Sequence, residues 1–325
     1  MTARYPGGVL VTGPTGFVGR SVIGQLAAAG TAVRAVARDA IDIPGAPDVR
    51  AIGDLMGPVE WSAHLTDVEA VVHLAARVHV MRENAPDSLA AFRAINVDAT
   101  LRLAKASAAA GVRRFVFLSS IKVNGERTSG KPFTPADVPS PLDGYGQSKL
   151  EAEEGLRRLS VGGAFELVIL RSPLVYGPGV RGNVLRLLRL VDSGVPLPFA
   201  AVRNRRSLIA LENLASAIVR SIDRDAPPGT YLLSDGQAVS TPDLLRSIAR
   251  GLGRPARLLP TPLWLLRVAG SLVGRGEEMG RMLDSLEVDD SAARRSLGWA
   301  PPLSFDNGID QLTAWYRTAR ISARG

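Results

Sequence analysis

Val9-Leu10-Val11-Thr12-Gly13-Pro14-Thr15-Gly16-Phe17-Val18-Gly19 decides how this chain folds. An apolar run ends in a threonine, glycines follow at every third position, and an apolar helical pattern opens at Phe17. Glycines at this spacing let backbone amides approach a pyrophosphate at a helix N-terminus. Unpaired N–H groups and the helix dipole favour an anion there. Gly13, Thr15, Gly16, Phe17, Val18 and Gly19 are therefore candidate dinucleotide contacts.

Outward from this loop, strand and helix patterns alternate. Residues 9–11, 33–37, 68–74, 115–118 and 167–170 read as strands. Residues 17–29 and 89–110 read as helices, stopped by Gly30 and Gly111 where a left-handed residue is needed. Strands separated by helices of this length form parallel βαβ units. They predict an α/β fold, a Rossmann-like doubly wound sheet that binds ligands at the carboxyl ends of its strands. After Pro173 the pattern changes to a Tyr176-Gly177-Pro178-Gly179 turn, a leucine-rich helix over 183–191, and short helices among prolines. This predicts a smaller, interleaved C-terminal domain. Residues 1–172 with about 205–232 would bind the dinucleotide, and 173–204 with 233–325 the substrate.

Tyr145-Gly146-Gln147-Ser148-Lys149 puts a phenol and an ammonium on one helix face. A free tyrosine titrates near ~10, so bringing it to neutrality takes ~3 units, or ~4 kcal/mol. A nearby ammonium and a cationic oxidised nicotinamide both favour the phenolate. Either motif alone is common; in this order they predict a dehydrogenase-type enzyme.

With 325 residues, 46% hydrophobic and 22% charged, the chain can bury a full core. The absence of cysteine excludes disulfides and thiolate metal sites. His64, His73 and His79 fit no zinc spacing, so all three read as structural or solvated and no metal is expected. The net charge of +8 is nearly all arginine, the lysines being Lys105, Lys122, Lys131 and Lys149. The arginines are scattered rather than massed with aromatics, which argues against nucleic acid. A phosphorylated substrate would bring a few of them to a site. No charged-then-apolar leader opens the chain, and a cytoplasmic location is expected. Residues 258–273 are apolar but are broken by Pro260, Pro262 and Arg267 and are too short for a bilayer, so no stable membrane insertion is expected. They read as an amphipathic helix packed over a site, with a membrane-surface helix as the alternative.

Further segments match a known pattern: Gly53-Asp54-Leu55, Val72-His73-Leu74-Ala75-Ala76, Asn96-Val97, Phe117-Leu118-Ser119-Ser120 and Leu170-Arg171-Ser172-Pro173. With the two motifs above, the chain resembles an extended short-chain dehydrogenase/reductase of the nucleotide-sugar epimerase/dehydratase group over essentially its whole length. Ser119-Ser120-Ile121-Lys122-Val123-Asn124-Gly125 is similar to the bacterial 4-reductases that form UDP-N-acetylquinovosamine from a UDP-4-keto-6-deoxy-N-acetylhexosamine for surface polysaccharide.

The resemblance implies roles. Tyr145 would be the acid/base at the C4 oxygen, Lys149 would hold the nicotinamide ribose and depress the tyrosine, and Ser120 would hydrogen-bond the reacting oxygen. Asp54 and Leu55 would flank the adenine. Leu74, Ala75, Ala76 and Pro173 would line the cofactor. Asn183 and Arg206 would contact the nucleotide diphosphate, with Arg281 a further candidate. Lys122 would touch the sugar or its acetamido group, or be a solvated loop lysine. A homodimer through the helices carrying residues 89–110 and 145–149 is also implied. Counted from Gly30, the carboxylate position of NAD enzymes falls on Ala37 and is followed by Arg38, which suits a 2′-phosphate. NADP(H) is therefore expected, with NAD(H) as the alternative. The dehydratases' Asp-Glu pair is replaced by Ile121-Lys122, and the 4-epimerases' Phe-Asn pair by Pro173-Leu174. A 4-reductase is the expected activity. Its rivals are a UDP-hexose 4-epimerase and a non-catalytic NADP-binding redox sensor, the latter opposed by the intact Tyr145/Lys149 pair.

Overall fold

The structure, a computed structural model, describes residues 7–78 and 88–322; His79 lies outside them. In the first half, β1 (Gly8–Thr12), α1 (Phe17–Ala28), β2 (Val33–Ala37) and β3 (Asp48–Ala51) lead to α2 (Ser62–Leu65) and β4 (Val68–His73). Then come α3 (Ser88–Arg93), a π-helical segment (Ala94–Ala99), α4 (Thr100–Ala109), β5 (Arg114–Ser120) and a 3₁₀ turn (Ile121–Val123). The long helix α5 (Gly144–Ser160) precedes β6 (Glu166–Ser172), β7 (Leu174–Tyr176) and α6 (Gly182–Asp192). The remainder comprises β8 (Arg206–Ala210), α7 (Leu211–Arg220), β9 (Gly229–Leu232), β10 (Ala238–Val239) and α8 (Thr241–Leu252). It ends in α9 (Leu263–Leu272), α10 (Gly276–Leu283), α11 (Ser291–Ser296) and α12 (Phe305–Ser322).

Seven strands form one sheet in the order β3-β2-β1-β4-β5-β6-β9, every pairing parallel. Both faces are apolar because successive side chains alternate and each face is covered by helices. Val9, Val11, Val72, Val116 and Leu170 pack with Val22, Ile23, Leu26 of α1 and Leu214, Ile218 of α7. Leu10, Val71, Phe115, Phe117 and Ile169 face Leu103 of α4 and Ala152, Leu156 of α5. Burying each such side chain contributes ~1.5–3 kcal/mol. The strand order reverses between β1 and β4, which opens a crevice at their carboxyl ends.

A smaller sheet, β10-β8-β7, carries the second core, where Tyr176, Leu188, Leu208, Ile248, Leu266, Phe305 and Leu312 meet. The expected helix over 89–110 is present, but its middle six residues wind as a π-helix. Helix α9 departs from the packed reading. Only Leu266 and Gly270 are buried, and its remaining apolar residues face outward. Among the described residues, no helix is long and apolar enough to cross a membrane.

Candidate active site

Gly13 and Gly19 are required by close approach. A Cβ on Gly13, at φ +67°, would lie 2.9 Å from the Ala75 nitrogen, and one on Gly19 would lie 2.2 Å from the Gly13 oxygen. The loop after β1 is thus pressed against the Leu74-Ala75-Ala76 segment at the switch point. The N-terminus of α1 has Gly16 as its cap, with no capping side chain and no acid in its first turn. Its amides are free for an anion, and the cradle fits a dinucleotide pyrophosphate.

Thr12 fixes the two loops to each other. Its hydroxyl oxygen accepts from the Leu74 and Ala75 amides, both at 3.1 Å. Its proton goes to His73 Nδ1 at 2.8 Å. His73 Nε2 then donates to Thr100 Oγ1 at 2.8 Å, because that hydroxyl already donates to the Asn96 carbonyl. Burial, with the Lys149 charge adding to it, pushes His73 down to about 3, so the ring is a neutral structural link. The half-buried His64 ring packs edge-on against Trp61 with centroids 6.2 Å apart, its Nδ1 buried without a hydrogen-bond partner, and its carbonyl accepts from Arg34 at 2.8 Å. Both fit the structural reading of the sequence.

Ser120 ends β5, and Tyr145 and Lys149 lie in the first turns of α5. The Tyr145 hydroxyl is hydrogen-bonded to the Ser120 side chain. Lys149 is 2% exposed; its Nζ donates to the Leu118 carbonyl at 2.9 Å and lies 4.5 Å from the Phe117 ring centre. Burial pushes the Lys149 amine down to about 7, against the opposing pull of Glu153. Burial also raises the Tyr145 phenol well above its ordinary value; the Asp143 charge adds to this and Ser120 opposes it. This differs from the expected depression by Lys149: the ammonium is directed at β5 rather than at the phenol.

Asp143 caps α5 by accepting from the Gly146 amide at 2.7 Å and is ion-paired with Lys122. Lys122 also pairs with Glu126 at 2.7 Å, so it is neither a solvated loop lysine nor unpaired. Arg281 Nε lies 3.6 Å from Glu126 but is buried without a hydrogen-bond acceptor. Arg206 donates to the Asp284 carbonyl at 2.9 Å, and its guanidinium is pushed down by burial and by neighbouring Arg281. Lys122, Arg206 and Arg281, far apart in sequence, thus gather round Glu126. Asn183 is exposed at the start of α6, one turn before Arg186, which pairs with Glu278 of α10 at 2.9 Å. Arg38 is exposed immediately after β2, near Asp54, whose carboxylate accepts from the Met56 amide at 2.9 Å. The Leu55 carbonyl accepts from Arg102 at 2.6 Å. Pro173 is buried between β6 and β7.

Two supports had no role assigned from the sequence, although Asn96 lies in one of its family-like segments. Glu153, fully buried, accepts from Ser119 at 2.6 Å and from Arg171 at 2.9 and 2.6 Å, with Arg157 at 2.8 Å. Its position one turn after Lys149, two after Tyr145, was the available signal. Asn96, in the π-helical segment, holds the Arg77 backbone at both N–H (2.8 Å) and C=O (3.1 Å) and donates to Ser148 at 2.9 Å. This ties the loop after β4 to α5.

Residues 9–234 match the NAD dependent epimerase/dehydratase family. The chain belongs to that family. It is 39% identical to a UDP-glucose 4-epimerase of Vibrio cholerae over 312 residues, covering 95% of each protein. Among solved structures, it matches MoeE5 in complex with UDP-glucose and NAD at 26% identity and TM-score 0.76, covering 97% of this chain and 100% of that one. A UDP-N-acetylglucosamine 4-epimerase from Bacillus cereus has the same fold, with TM-score 0.79 at 22% identity over 96% and 99% of the chains. The glycine cradle, the Ser120–Tyr145 pair and Lys149 accordingly occupy the family's fold at the carboxyl edge of its parallel sheet.

Proposed function

We propose that this protein reduces a UDP-4-keto-6-deoxy-N-acetylhexosamine at C4 with NADPH. The carrying observation is the Ser120–Tyr145 hydrogen bond at the carboxyl edge of the sheet that bears the glycine cradle. In this reading 1–172 with about 205–232 hold the cofactor, and the remainder holds the substrate. The cradle binds the pyrophosphate, Arg38 the 2′-phosphate, and the bound nicotinamide supplies the hydride that becomes the C4 hydrogen.

Tyr145 gives its proton to the C4 oxygen while Ser120 orients that oxygen. Burial keeps the phenol protonated, so it carries the proton that reduction requires. Lys149, titrating near neutrality, would return a proton to the tyrosine after turnover, which requires its amine to leave the Leu118 carbonyl and turn to the phenol. The buried Arg281 Nε–H, lacking an acceptor, and Arg206 suit the substrate diphosphate. Lys122 acts through Asp143: it offsets the carboxylate that otherwise raises the phenol further.

Against dehydration stands Ile121-Lys122 in place of an acid pair. A 4-epimerase reading is favoured by the Vibrio cholerae relative and opposed by Pro173-Leu174. The deciding experiment incubates the purified protein with the 4-keto substrate and NADPH, and separately with UDP-glucose. Cofactor oxidation with formation of a 4-hydroxy sugar supports the reductase. Interconversion of UDP-glucose and UDP-galactose by protein that carries NAD through purification overturns it in favour of the epimerase.

A further inference from the structure

We propose that helix α9 and its flanking arginines dock the protein peripherally on an anionic lipid surface. Leu263, Trp264, Leu265, Val268 and Leu272 all point outward, Trp264 at 67% and Leu272 at 82% exposure. Trp264, Val268 and Leu272 follow one another at four-residue steps and make a single stripe. The inner side rests on α10, where Gly270 meets Met279 so closely that a Cβ would lie 2.7 Å from the Met279 Cβ. The apolar stripe is therefore not waiting for its own core, and a continuous exposed patch of this kind marks a binding face.

Charge identifies the occupant. From Arg254 to Gly276 the chain carries Arg254, Arg257, Arg267 and Arg275 and no carboxylate. All four arginines are exposed, on a molecule of net charge +8. Arg254 is ion-paired with Asp192 and Arg267 with Asp284, and Glu277 and Glu278 follow this stretch, so Arg257 and Arg275 are the cations offered to lipid phosphates. Tryptophan and leucine bordered by arginines suit the headgroup boundary, where the apolar side chains enter the acyl edge and guanidinium groups meet lipid phosphates. At ten residues the helix can lie in that plane but cannot cross it.

Docking there would set the anion-binding end of the site next to the lipid. Arg267 is ion-paired with Asp284 at 2.7 Å, and the Asp284 carbonyl accepts from Arg206. The inference does not depend on which C4 reaction the site performs.

The test is co-sedimentation of the full chain with vesicles of phosphatidylcholine alone and of phosphatidylcholine with phosphatidylglycerol. The wild type should sediment with the mixed vesicles only and be released as salt is raised. Arg257→Gln and Arg275→Gln should each lower the partition coefficient about fivefold. A Trp264→Ser/Leu272→Ser double variant, with an unchanged melting temperature, should lose most of the binding. Absence of sedimentation with either vesicle, or full retention by the double variant, overturns the proposal. So does lipid-free light scattering in which the double variant is a smaller oligomer than the wild type, since the face would then belong to a second copy.

Discussion

Lys149 illustrates how burial changes a residue whose identity is plain in the sequence. Its amine titrates at about 7 in the folded chain against 10.5 when unperturbed. Between those values the unfolded chain holds a proton that the folded chain has released. Stability therefore rises with pH through that window, and the penalty is fully present below it. The urea midpoint of the wild type should climb more between about pH 7 and about pH 9 than that of Lys149→Met; equal slopes would count against a depressed amine. At Tyr145 the prediction concerns chemistry. Tyr145→Phe should lower turnover by ~10²–10⁴-fold with little change in KM or melting temperature. The sequence named Ser120, Tyr145 and Lys149 as a group. It did not show that the ammonium would be turned to the Leu118 carbonyl, because that depends on the gap between α5 and β5.

At the scale of elements, α5 is fixed to β5 and β6 by one carboxylate. Removing the charge with Glu153→Gln leaves Arg171, itself 2% exposed, with the neutral Asn124 but without its carboxylate. Breaking a buried pair of this kind costs ~3–5 kcal/mol, which a denaturant titration would detect. Because Ser119 adjoins Ser120, kcat should fall more than KM rises. A variant that loses stability with kcat untouched would confine Glu153 to folding.

The strong elements were readable from periodicity: 33–37 coincides with β2, and the leucine-rich 183–191 lies within α6. Strand β3 was not read, because Asp-Val-Arg-Ala at a sheet edge offers no apolar run. The π-helical segment was not either, since Asn96 winds the helix differently to reach Arg77 and Ser148, partners that sequence periodicity does not reveal.

For the whole molecule, the doubly wound sheet and its ligand edge followed from the alternation of strands and helices. The grouping of Lys122, Arg206 and Arg281 around Glu126 did not, because it depends on how the two sheets meet. Cofactor choice belongs to this scale as well, since in the proposed reading Arg38 meets the adenosine ribose of a ligand whose central pyrophosphate is held by Gly13–Gly19. Arg38→Ala should weaken NADP binding about tenfold or more, from ~1.5 kcal/mol or more for a charged hydrogen bond, while leaving NAD nearly unchanged by titration calorimetry. Equal losses for both would remove the 2′-phosphate role.

The shared carboxylate in α5 also constrains how this chain can be recombined with its relatives. A chimaera whose crossover falls between 153 and 171 inherits acid and guanidinium from different parents, and any mismatch strands a charge in the interior. Functional hybrids should therefore join before Glu153 or after Arg171, keeping both on one parental segment.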